Sequence, residues 1–280
     1  MFIQVAVALL LIAAPQSGRG GNGGGAMPPP VTVQDPTPFE LFVAKLDLDD
    51  KTQQQDTAKI FTSSAAEAAT IGKDVTQLRA RMVEVGLASG DMAPVTASYT
   101  AASTRLTGLE VRTFQQVFAL LQKKQQSKAS EAFVLMAGLL DPALPGSQGG
   151  RRGRGGFGGG GATRLDVLTT VFKLEGDQKK QVKSIMDAEY KATATTRDVW
   201  TKSRAAVGTA IQTGAAASDI EQAIAKHAAD ASTMASAEMQ ALVKVLAVLT
   251  PEQKNNTAIQ TAIFAMRRAF AGKKWDVTPD

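Results

Sequence analysis

Along two long stretches of the chain, apolar side chains recur three and four positions apart, and this spacing predicts helix throughout. In the first stretch Phe39, Leu41, Phe42, Leu46 and Leu48 outline a short amphipathic helix. Ile60, Ser64, Ala68, Ile71, Val75, Leu78, Met82 and Val85 then trace a long one with no proline between them. Gly86, Ser89, Gly90, Asp91 and Pro94 break the stripe, and Val95, Tyr99, Ala102, Leu106, Leu109, Thr113, Val117 and Leu120 resume it. Two long helices joined by so short a turn are expected to lie antiparallel. Ala132, Phe133, Leu135, Met136, Leu139 and Leu140 add a last short helix, ended by Pro142 and Pro145.

The second stretch repeats this order. Leu165, Val167, Leu168, Val171, Phe172 and Leu174 open it, and Val182, Ile185, Met186, Thr193, Thr196, Trp200, Ser203, Val207 and Ile211 carry one long stripe. After Gly214, Ser218 and Glu221 read as a capping box. Ile220, Ile224, His227, Ala231, Met234, Leu242, Val245 and Leu249 line the return helix, and Ile259, Ile263, Phe264, Met266 and Phe270 the terminal one. Setting Gln53 on Gln178 and Gln125 on Gln253 also aligns Ile60 with Ile185, Phe61 with Met186, Val117 with Val245 and Leu121 with Leu249. The expected fold is therefore all-α: two tandem helical-hairpin modules of ~100 residues, each with two long antiparallel helices flanked by short ones.

Each junction between short and long helices carries a leucine followed shortly by glutamine: Leu48 with Gln53, Leu121 with Gln125, Leu174 with Gln178, and Leu249-Thr250-Pro251-Glu252-Gln253. In the last, Thr250 suits an N-cap, Pro251 the first helical position, and Gln253 can reach back to the cap amide. The motif thus stops one helix against the core and starts the next.

Composition sets the boundaries. Residues 1–17 contain an apolar run, Phe2 to Ala14, the length of a signal-peptide core and too short to cross a bilayer comfortably. Residues 18–38 form a Gly/Pro-rich leader and 143–162 a Gly/Arg-rich linker, neither able to build a core. Modules are expected over 39–142 and 163–271, with a basic, solvated tail over 272–280 in which Trp275, beside Lys273 and Lys274, stands available to a partner or a membrane surface. The chain has no cysteine, hence no disulfide framework or thiolate metal site, and its formal charge of +5 suits acidic or mixed surfaces without demanding nucleic acid.

With these motifs the sequence resembles the periplasmic Spy and CpxP family and its LTxxQ repeats. Residues 249–253 match the second family motif without departure. Leu174 and Gln178 match the leucine and glutamine of the first, whereas Glu175 and Gln122 replace threonine and the copy at Leu48 has one extra residue before Gln53. The resemblance implies an exported, all-helical protein of the cell envelope that binds unfolded or partly folded polypeptides without ATP, or a periplasmic regulator docking on a membrane sensor of envelope stress. It also implies cradle-shaped dimers, so that two copies in one chain are expected to pair internally or as a homo-oligomer. A structural helical spacer is a third reading.

The residues offer little to chemistry. His227 is the single histidine and lies on an apolar stripe, with nothing to complete a triad or a zinc site. The carboxylate pairs Asp49/Asp50 and Glu175/Asp177 fall in first helical turns, where negative charge is favoured anyway. Glycine blocks without a following lysine and serine or threonine do not cradle phosphate, and Arg151, Arg152, Arg154 and Phe157 are too few for an RGG element. No catalytic residue, cofactor, metal or nucleic-acid partner is expected, and the protein is not expected to be an enzyme.

Overall fold

The computed structural model describes residues 38–136, 139–140 and 162–277. The segment read as a signal peptide and nearly all of the leader and linker lie outside them. Ten helices and no strand occur among the described residues, and none of those helices is long and apolar enough to cross a membrane.

Helix α1 (Pro38–Lys45) stops where Asp47 turns left-handed with φ 50°, letting the Leu48 amide donate to the Val43 carbonyl at 3.1 Å. That is a Schellman closure, and the buried Leu48 is the apolar side chain such a closure seats. Asp50 then caps α2 (Lys51–Leu87) by accepting from the Thr52 amide at 2.8 Å. α3 (Ala93–Ala119) returns against α2 as the spacing predicts, and α4 (Lys123–Gln126) and α5 (Ala129–Leu135) finish this half. Its core is a chain of edge-on rings: Phe42 meets Phe61 at 5.4 Å and Phe114 at 6.1 Å, and Phe114 meets Phe133 at 5.4 Å. Edge-to-face geometry sets the positive ring rim against the negative face of its neighbour.

The second half runs α6 (Arg164–Phe172), α7 (Gly176–Ala192), α8 (Ala194–Gln212), α9 (Ala217–Ala247) and α10 (Asn256–Ala265). α6 closes as α1 does, with Lys173 left-handed at φ 50° and the Leu174 amide donating to Thr169 at 3.0 Å. Four expectations are corrected here. The stripe from Val182 to Ile211 is two helices, because the Thr193 hydroxyl donates to the Glu189 and Tyr190 carbonyls at 3.1 and 3.0 Å and competes with the backbone ladder. Ser218 does not cap α9: Ala216 holds the extended N-cap position, without a side-chain bond, and Ser218 is already inside the helix. Thr250 does not open the terminal helix either. Residues 251–253 form a turn and the helix begins at Asn256, capped by Asn255, whose carboxamide oxygen accepts from the Ala258 amide at 2.9 Å. Trp275, finally, is buried, its ring amine donating to Asp187 at 2.7 Å. The buried Arg164 guanidinium holds that segment by donating to the carbonyls of Ala265 at 3.0 Å and Trp275 at 3.2 Å.

The two hairpins are not separate bodies on a tether: Pro36 to Asp280 is one compact unit. α9 lies against α2 and α3 of the first half, and α5 of the first half packs on α8 of the second. The α5–α8 approach is close because position 208 is glycine. A Cβ there would stand 2.9 Å from both the Cα and the carbonyl oxygen of Ser130. In its absence Ser130 Oγ reaches the Ala205 carbonyl at 3.2 Å and Thr209 Oγ1 at 3.0 Å.

Candidate functional site

The motif leucines Leu48, Leu121, Leu174 and Leu249 are all buried; Gln125, Gln178 and Gln253 accept from the amides of Gln122, Glu175 and Thr250 as the motif predicts, whereas Gln53 does not cap its helix, Asp50 holding that place. In the first half the carboxamides of Gln53 and Gln125 bond each other twice, Gln53 Nε2 to Gln125 Oε1 at 2.9 Å and Gln125 Nε2 to Gln53 Oε1 at 3.1 Å. Gln125 Oε1 also accepts from the Gln122 amide at 2.9 Å, Gln125 Nε2 donates to the carbonyl of left-handed Asp47 at 2.8 Å, and Gln53 Nε2 donates to Leu120 at 2.8 Å. In the second half Gln178 Nε2 bonds Gln253 Oε1 at 3.0 Å and receives the reverse bond at 2.9 Å. Gln253 Oε1 accepts from the Thr250 amide at 2.9 Å, and Gln253 Nε2 donates to left-handed Lys173 at 3.4 Å. Only a carboxamide both donates and accepts at adjacent atoms, so glutamate or leucine cannot substitute at either member. Each pair ties the end of a short helix, the start of a long one and the end of the return helix into one knot. Thr250 and Pro251 are exposed in the turn and take part only through the Thr250 backbone.

A second constellation lies where the halves meet. Arg79 of α2 donates to Glu238 of α9 at 2.5 Å, and Arg204 of α8 donates to Glu110 of α3 at 2.8 Å, with all four side chains buried. The register that sets Gln53 on Gln178 sets Arg79 on Arg204, and the register that sets Gln125 on Gln253 sets Glu110 on Glu238. Each arginine therefore pairs with the glutamate of the opposite half, the self-complementary relation of a two-fold interface, here within one chain. Each also fixes the other half's terminal region: Arg79 donates to the Met266 carbonyl at 3.2 Å, and Arg204 donates to Phe133 at 3.2 Å and stacks over its ring at 4.7 Å.

These pairs border a cavity of about 110 Å³. Its wall follows the same two registers, Val75 opposite Trp200, Tyr99 opposite His227 and Leu106 opposite Met234, so it straddles the pseudo-two-fold axis. Chemical identity is not duplicated. On one side burial, with the Arg204 charge behind it, pushes His227 down to about 3, so its ring is neutral near pH 7. Ser203 Oγ donates to the Trp200 carbonyl at 3.0 Å and stands 3.1 Å from His227 Nδ1. Nδ1 therefore carries the proton, leaving Nε2 to face Arg204 at 3.5 Å. On the other side Arg267 and Arg268, beyond α10, join Arg79 and Tyr99 at the wall. Burial, and then the charge of Arg79, draw Arg267 down to about 10, still cationic at neutral pH.

The hydrophobic pattern marked Tyr99 and His227 as stripe residues but missed the arginines and glutamates. The repeat register held the signal, since it superposes arginine on arginine and glutamate on glutamate within apolar stripes. Among the described residues no group of three or more His, Cys, Asp or Glu side chains is placed to hold a metal ion.

Residues 161–258 match the family described as LTXXQ motif family protein. No curated protein and no solved structure matches the chain.

Proposed function

Taking the LTXXQ-family match of residues 161–258 as the premise, we propose that this is an exported protein of the cell envelope that binds unfolded or partly folded polypeptides without ATP. The family match is the observation that carries the reading. Several features of the chain support it. Leu41, Leu87, Leu120, Leu135 and Val199 keep 39–47% of their surface uncovered, distributed over both halves rather than gathered in one pocket. Scattered apolar contacts of this kind hold a client weakly, and a client that buries its own apolar groups lets go, so release needs no nucleotide. The net charge of +5 adds a long-range attraction for acidic clients that salt screens. No chemical step is assigned to the protein.

The test is suppression of aggregation. Mixed near equimolar with a denatured acidic client at low salt, the protein is expected to keep that client from scattering light, and less so as salt rises. A client that aggregates at the same rate with and without the protein overturns the proposal.

A further inference from the structure

We propose that the cavity on the pseudo-two-fold axis is a binding site for one small uncharged ring compound bearing a hydroxyl, the class of phenol. Charge is the first filter. Arg79 is matched by Glu238 at 2.5 Å and Arg204 by Glu110 at 2.8 Å, and His227 is neutral. Arg267 and Arg268 have partners of their own, Arg267 lying over the Phe264 ring at 5.9 Å. A wall whose charges are already met offers nothing to offset the desolvation of an ion, so the guest it suits is neutral.

Lining and size narrow the class further. Val75, Tyr99, Leu106, Trp200 and Met234 make part of the wall apolar and aromatic. The volume of about 110 Å³ stands against the ~150 Å³ of an engineered apolar cavity that takes up benzene, so it admits one six-membered ring and not two fused ones. Leu106, Trp200 and Ala231 are only half-buried, so the cavity is reachable from solvent. One polar atom calls for the hydroxyl. Arg79 is 3% exposed, and its Nε–H has no hydrogen-bond partner among the described residues. The same nitrogen of Arg204, its counterpart across the axis, donates to the Val134 carbonyl at 3.4 Å. A strict two-fold axis would give the cavity two equal ends. Here only the Arg79 end holds an unmet donor, and the imidazole–indole pair of His227 and Trp200 stands at the other. A buried charged donor left unmet is costly, and a phenol oxygen meets it with the ring turned toward Trp200. Water is the competing occupant, and titration decides between them.

The experiment titrates the full chain with phenol by calorimetry at neutral pH. The expected result is saturable binding of one phenol per chain, with a Kd of about 0.1–1 mM for so small a ligand. Benzene keeps the ring without the oxygen and is expected to bind about tenfold more weakly, as loss of one hydrogen bond to a charged donor does. Benzoate tests the charge and naphthol the size, and neither is expected to compete with phenol. Ala231→Leu fills the cavity from its half-buried side and is expected to abolish phenol binding. Should that variant not fold by circular dichroism, Ala231→Val adds less bulk, and a several-fold weakening is expected. Absence of saturable heat up to about 10 mM phenol means that water alone fills the cavity and overturns the site. So do benzene binding as tightly as phenol, competition by benzoate or naphthol, and phenol affinity unchanged in a folded Ala231 variant. Because aggregation suppression is a separate measurement, either proposal can fail without the other.

Discussion

Glu238→Gln tests the interface between the halves most directly. Glu238 accepts from Arg79 at 2.5 Å and from the Phe270 amide at 3.0 Å, and the paired side chains are 2% and 4% exposed. Glutamine keeps the shape and an acceptor oxygen for Phe270, so the substitution chiefly leaves the Arg79 charge buried without its counter-charge. Breaking a buried pair from one side costs about 3–5 kcal/mol, and the retained acceptor places Glu238→Gln near the lower end. Urea unfolding of the full chain by far-ultraviolet circular dichroism reads this as a lower midpoint at unchanged slope. Arg79→Met with Glu238→Leu removes both charges and is expected to recover to within about 1 kcal/mol of the parent, since an apolar pair has no desolvation penalty to offset. Because the pair is buried, the single-variant loss should persist at about 0.5 M salt, where exposed pairs are screened. A single variant within about 0.5 kcal/mol of the parent, or a double variant no better than either single, would refute the claim that water is excluded there.

Four further outcomes are expected. His227 is held at about 3 in the folded protein against 6.5 unfolded, so the unfolded chain binds the extra proton; stability is full above about pH 6.5 and falls as pH drops toward 3, by up to roughly 4–5 kcal/mol. His227→Gln should lose less than the parent between pH 7 and 4, and equal losses in urea midpoint would contradict this. Gln125→Leu strands the Gln53 carboxamide, the Gln122 amide and the Asp47 carbonyl and should cost about 2–3 kcal/mol, with hydrogen exchange quickening around residues 47–53 and 120–126; unchanged protection there would count against the knot. Gly208→Ala drives a methyl into the Ser130 backbone and should cost about 1–3 kcal/mol, measurable as a lower thermal midpoint. Leu249→Ala, at a side chain 5% exposed, should cost about 2–5 kcal/mol in urea, and a neutral result would mean that Leu249 does not face the core.

The sequence by itself determined the all-helical class and the order of the apolar stripes, because three-and-four periodicity and the Gly/Pro breaks are local and need no partner; it ran α7 and α8 together, since nothing in the periodicity marks the break at Thr193. Leu48 and Leu174 were legible as stops for the same reason: a left-handed residue followed by a buried leucine closes a helix within a few residues. Local rules failed where two local signals competed. Thr250-Pro251 has the form of a helix start, and Gln253 does reach back to the Thr250 amide, but residues 251–253 make only a turn and Asn255, five residues on, caps the helix instead. The Gln53–Gln125 and Gln178–Gln253 bonds join residues more than 70 positions apart, so only packing could reveal that caps were also partners. The tertiary structure alone decided that Trp275 is buried and that the two hairpins share one body. It also placed Arg79, Arg204, Glu110 and Glu238 around a cavity, because a charge within an apolar stripe says that something must meet it, while only the docking of the other half says what.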